Sequence, residues 1–278
     1  MKVLVTGSSG LPGSAVLRVL QNRGVPCLGV DAPEFDVRKD TETRLFVEDY
    51  APDVVVYCAA YTNMDKAESE PAECAAANGF GALTMARAAV AAGSKLLLLS
   101  TAQIFPDAGT APNAVSAPYG PKNVYGMSMV QAEDAVRSLM TRYFIIRTGP
   151  LFGGGKDAVR AVLRAVQDNK ELRLSGDRIG NPTYAPDLAK FICNLILTDR
   201  YGIWHARNEG EYSPAEFAKL VSKKIGHACR ITALPDAELS LHAHRTMDCR
   251  LASELPPGFD PLPSVEDALE RCLMEVSY

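Results

Sequence analysis

The chain has 278 residues, 47% of them hydrophobic and 22% charged, with a formal net charge of −4. That is ordinary globular composition, long enough for one large domain or a domain with an appended lobe. The negative balance and the lack of a basic cluster argue against nucleic acid as a partner, and the longest apolar runs, such as Leu96–Leu99, are far too short to span a bilayer.

The first stretch, Met1 to Gly13, reads as strand, glycine turn and helix. Lys2–Thr6 is apolar enough for a strand. Glycines follow at Gly7, Gly10 and Gly13, and a helical pattern (Ala15, Val16, Val19, Leu20) begins at once. A helix N-terminus offers free N–H groups and partial positive charge, and glycines let a pyrophosphate approach without a Cβ in the way. The spacing is G-x-x-G-x-x-G, so the strand before it and the helix after it carry the assignment as much as the glycines do.

A second strand, Val25–Val30, ends in Asp31, where an acid holds the adenosine ribose hydroxyls of NAD. Asp31 repels a 2′-phosphate, and the cations Arg38 and Lys39 come only later, which favours NAD over NADP. Phe35-Asp36-Val37 leads into a short helix over Thr41–Asp49. A third strand, Pro52–Cys58, runs into Ala59-Ala60-Tyr61-Thr62, small enough for a cofactor to pack against. Ser69-Glu70-Pro71 opens a long helix that ends near Gly93.

Lys95–Thr101 is a continuous apolar strand of the kind that sits centrally in a parallel sheet. Tyr125 enters a helix that reaches Leu139, and Tyr143–Thr148 is a fifth strand. Strands alternating with helices predict an α/β fold, a doubly wound parallel sheet of Rossmann type over residues 1–150. Residues 151–278 predict a smaller substrate lobe, interwoven with the first domain rather than independent. Ligands in such folds bind beyond the carboxyl ends of the strands, where Gly7, Asp31, Ala59, Thr101 and Arg147-Thr148 all fall.

Seven dispersed cysteines (27, 58, 74, 193, 229, 249 and 272), none in a CxxC, and four histidines show no metal-ligand spacing. The expectation is a cytoplasmic protein with reduced thiols, no signal peptide and no metal.

Taken together, VTGSSGLPG (5–13), PDVVVYCAAYTNMDKAESEP (52–71), Asn78, LLLLSTAQIF (96–105), NVYG (123–126), RIGNPTYAPDLA (178–189), GIWHARNEGEYSPAEFA (202–218) and RTMDCRL (245–251) resemble the extended short-chain dehydrogenase/reductase superfamily, and within it the dTDP-4-dehydrorhamnose reductases. The resemblance implies hydride transfer between a nicotinamide and the ketone of a nucleotide sugar, the small-molecule partner. Cofactor contacts are then expected from Gly7, Gly10, Leu11, Gly13, Asp31, Asp36, Val37, Ala59, Ala60, Tyr61 and Thr148. Arg178, Asn181 and Tyr184 match the segment that approaches the sugar nucleotide. The cofactor is NAD or NADP; oligomeric state stays open, a homodimer included.

The family's catalytic set is Ser/Thr, Tyr and Lys, the last two in Y-x-x-x-K. Here Thr101 and Tyr125 match, but the fourth residue after Tyr125 is Met129. Methionine neither holds the nicotinamide ribose nor lowers a tyrosine pKa. The neighbouring STDY pattern is also altered, to Ser100-Thr101-Ala102-Gln103. Reduction needs protonated tyrosine and suffers less than oxidation, which needs the base. Lys122 and Lys66 read as ordinary solvated lysines, Cys58 as a buried thiol and His205 as structural; Arg245 and Arg250 match the ligand side more loosely. Three alternatives therefore stand beside the reductase. They are a cofactor-binding regulatory subunit that has lost turnover, an epimerase or dehydratase, and a nucleotide-sugar binding module without cofactor.

Overall fold

The computed structural model describes residues 1–107 and 112–276. Five strands in the first half, β1 (Val3–Thr6), β2 (Cys27–Val30), β3 (Val54–Tyr57), β4 (Lys95–Thr101) and β5 (Tyr143–Thr148), form a parallel sheet. The order is β5-β4-β3-β1-β2, and a sixth parallel strand from the second half, Gly202–His205, pairs with the outer edge of β5.

The strands divide their side chains between two cores because successive residues point to opposite faces. Val3, Val5, Val54, Val56, Leu97, Phe144 and Ile146 face one layer, which contains helix α1 (Leu11–Asn22) and the helix Ala185–Leu195. Leu4, Val55, Tyr57, Leu96, Leu98 and Ile145 face the other. That second layer holds α2 (Asp40–Tyr50), α5 (Gly81–Ala91) and α6 (Val124–Leu139). One helix and one strand of the second half thus complete the first half's core and sheet. A separate apolar cluster, built on Phe152, Val162, Tyr184, Phe217 and Leu269, organises the rest of that half.

The long helix expected to open at Ser69-Glu70-Pro71 and end near Gly93 runs without a break from Pro71 to Ala91, as α4 (Pro71–Ala75), a π-helical turn at Ala76–Phe80, and α5, with a separate short helix α3 (Met64–Ser69) before it. The π turn coincides with Asn78, which is buried and hydrogen-bonds two other segments. Single π turns inside helices are rare and recur at functional sites. The seven cysteines are unpaired, and among the described residues no group of His, Cys, Asp or Glu is placed to hold a metal ion. No helix among them is long and apolar enough to cross a membrane.

Candidate active site

One cleft of about 700 Å³ lies beyond the carboxyl ends of β1–β5. Gly7, Gly10 and Leu11 form its floor at one end, where β1 turns into α1. The turn admits only glycine at two places. Gly7 has a φ of +66°, and a Cβ there would lie 2.6 Å from the Ala59 nitrogen; a Cβ on Gly13 would run into the Gly7 carbonyl. Gly13 therefore packs beneath the turn and does not line the cleft.

Asp31, Asp36 and Val37 line the next part of the wall, followed by Ala59, Ala60 and Tyr61. Asp31 also braces the glycine turn. Its Oδ2 accepts the Ser9 backbone N–H at 2.8 Å and the Ser9 hydroxyl as well. The Asp36 carboxylate grips Arg38 through two parallel bonds of 2.9 Å. That hydrogen-bonding holds Asp36 below the usual carboxylate range.

Thr101, at the end of β4, and Tyr125, in the first turn of α6, close the far end of the cleft together with Thr148. Asn123 caps α6: its Oδ1 accepts the Gly126 N–H at 2.7 Å, while its Nδ2 donates to the His244 carbonyl at 2.8 Å. Asn78 ties this corner to the loop after β3. Its Oδ1 accepts the Tyr61 N–H at 2.7 Å, its Nδ2 donates to Ser128 Oγ at 2.8 Å, and Ser128 donates to the Tyr125 carbonyl at 2.7 Å. Beneath lies a buried ion pair, Arg147–Glu133 at 2.7 Å. Ser100 and Tyr119 donate to the same carboxylate at 2.5 and 2.8 Å, so β4, β5 and α6 are locked together.

Burial pushes the Tyr125 phenol up to about 12, and the adjacent Thr101 hydroxyl offsets only part of the effect. Among the described residues no cation acts on it. Met129 is only 2% exposed and packs with Tyr125 among Ala67, Cys74, Ala102, Phe105 and Leu251, outside the cleft lining. Lys122 precedes the cap of α6 and makes no bond to Tyr125 among the described residues. Lys66 pairs with Glu70 at 3.0 Å. Among the described residues Arg38 is the one cation in the lining, and it stands at the opposite end. Tyr125 is thus a proton donor at neutral pH and a very poor base.

The residues expected on the sugar side divide. Arg178 pairs with Asp236 at 3.0 Å, mostly buried, and does not line the cleft. Asn181 is fully buried and spent on structure: its Nδ2 donates to the Gly210 carbonyl, and its Oδ1 accepts the Leu251 N–H at 2.8 Å. Tyr184 stacks on Phe152 inside the second-half core. Asn181 and Tyr184 therefore shape the lobe from within, since their polar atoms are enclosed by protein. Arg245 straps its segment to α3 through Asp65 at 2.7 Å, and Arg250 pairs with Asp248. Cys58 and Cys249 border the cleft, but burial pushes both thiols up to about 12, so neither is a ready nucleophile. Sequence reasoning missed Gln103, which lines the cleft between Thr101 and Cys249 with its Nε2 donating to Cys249 Sγ at 2.9 Å. It put Arg147 at the ligand end of its strand, whereas the side chain is buried in the pair with Glu133 and does not line the cleft.

This sheet, glycine turn and threonine–tyrosine corner define an extended short-chain dehydrogenase/reductase architecture. Within that class the chain belongs to the RmlD substrate binding domain family, whose profile matches residues 1–277. It is similar to the spore coat polysaccharide biosynthesis protein SpsK of Bacillus subtilis (strain 168), with 32% identity over 85% of this chain and 84% of that protein. It is 33% identical to a dTDP-4-dehydrorhamnose reductase of Sinorhizobium fredii, over 98% of this chain and 96% of that one. Among solved structures, the dTDP-4-dehydrorhamnose reductase of Bacillus anthracis in complex with NADP superimposes with a TM-score of 0.96 at 30% identity, covering 99% of this chain and all of the other.

Proposed function

We propose that the chain reduces the ketone of a nucleotide-linked 4-keto sugar, using a reduced nicotinamide dinucleotide. The observation that carries this is the single cleft joining the glycine turn to the Thr101/Tyr125 corner. Its residues suit a dinucleotide. The turn presents the start of α1 for a diphosphate, and Asp31 stands at the end of β2. The buried Thr148 hydroxyl in the lining has no partner among the described residues. When bound, the cofactor supplies a hydride to the carbonyl carbon. Thr101 orients the carbonyl oxygen, and Tyr125 gives that oxygen its phenolic proton. The part after residue 150 covers the sugar end.

The test is turnover of a dTDP-4-keto-6-deoxyhexose with NADH and with NADPH. Cofactor oxidation with either supports the reading; none with either, beside a working control enzyme, overturns it. Met129 favours one second reading, a cofactor-binding regulatory subunit, because the apolar cluster leaves Tyr125 without a cation. That reading predicts tight dinucleotide binding without turnover and a stable protein partner.

A further inference from the structure

We propose that Glu73, outside the cleft, sets the choice between NAD and NADP by holding back Arg38, so that the chain selects NADH. The inference rests on the cofactor reading above and assigns its specificity.

Arg38 is the lining cation at the end of the cleft that also holds Asp31 and Asp36, where the adenosine half of a dinucleotide would lie. A guanidinium there is the natural reader of a 2′-phosphate. Here three of its five N–H donors are already taken. Nε and Nη2 bond the two oxygens of Asp36 at 2.9 Å each, and Nη1 bonds Glu73 Oε2 on α4 at 2.9 Å. Asp36 is the anchor, with its side chain only 21% exposed; Glu73 is 61% exposed and is the looser jaw. The next cation along, Lys39, pairs with Glu42.

Two carboxylates, Asp36 and Glu73, thus hold one guanidinium, a formal −1, and Asp31 lines the same cleft. A ribose 2′-hydroxyl meets no such repulsion and can donate to Asp31, whereas a 2′-phosphate must compete with two carboxylates for Arg38. Removing Glu73 frees one edge of the guanidinium and deletes one negative charge, and both changes act in the same direction.

The experiment is fluorescence titration of the full chain with NADH and NADPH. Wild type is expected to bind NADH at least about tenfold more tightly. Glu73→Gln, an exposed isosteric change, is expected to improve NADPH affinity by about two- to fivefold, the range of an exposed ion pair, and to leave NADH within twofold. Adding Arg38→Met is expected to abolish that gain, and raising the salt to shrink it. The proposal is overturned by a wild type that binds NADPH as tightly as NADH, by an unchanged ratio in Glu73→Gln, or by a gain that survives loss of Arg38. A wild type that binds neither dinucleotide overturns the cofactor reading instead, and the two failures are distinguished because no ratio then exists to shift.

Discussion

Met129→Lys asks whether a cation beside Tyr125 controls the direction of the chemistry. With the Tyr125 phenol pushed up to about 12, roughly one molecule in ten thousand carries phenolate at pH 8. An ammonium one helical turn away, on the same face, lowers such a pKa by about 1–3 units. The phenolate population rises by the same factor, roughly tenfold to thousandfold. Alcohol oxidation, which needs the base, is expected to accelerate within that range, and its acid limb to move to lower pH. Ketone reduction uses the protonated phenol, already almost fully populated, so its rate near pH 7 gains little from acid strength; its decline at high pH is expected to begin earlier than in wild type. Met129 is buried in one apolar cluster with Ala67, Phe105 and Leu251. An ammonium there without a carboxylate costs on the order of several kcal/mol, so the melting temperature is expected to fall by roughly 5–10 °C. The assay measures both directions against pH, with Met129→Leu as the uncharged control. A folded Met129→Lys protein with unchanged oxidation, or one in which Met129→Leu gives the same gain, refutes the electrostatic account.

Tyr125→Phe removes the proton donor and keeps the ring, so kcat is expected to drop roughly 10²–10⁴-fold while the NADH Kd stays within twofold; stopped-flow reduction and titration separate the two. Asn78→Ala strands the Tyr61 N–H and removes the donor to the Tyr61 carbonyl, with an expected loss of about 1–3 kcal/mol in denaturant unfolding and a weaker cofactor Kd, because Tyr61 lines the cleft. His205 is buried, and its folded pKa is pushed down to about 4. The unfolded chain therefore binds its proton first as pH falls, and about 3 kcal/mol of stability is expected to be lost between pH 6.5 and pH 4. His205→Gln is expected to flatten that part of the stability curve; an unaltered slope counts against the assignment.

Much of the cofactor side was legible because it is local. The turn after β1 must have glycine at Gly7 and Gly13 for reasons within a few residues and one neighbouring strand end, and Asp31 stands where β2 ends whatever lies elsewhere. The continuous apolar runs of β3–β5 likewise announce a sheet covered on both faces. The sugar side was less legible. Arg178, Asn181 and Tyr184 are polar residues in a matching segment, yet whether each points at ligand or into protein depends on Asp236, Gly210, Leu251 and Phe152, all distant in sequence.

The sequence by itself determined the strand–turn–helix start, the alternating α/β order and the placing of an uncharged Met129 one helical turn after Tyr125, since each is written in neighbouring residues and their period. Tertiary structure alone decided that Gly202–His205 extends the first half's sheet, that Asn78 and Ser128 pin Tyr125, and that Glu73 reaches Arg38. Those contacts join segments far apart along the chain, and burial and pairing across such distances exist only once the chain has packed.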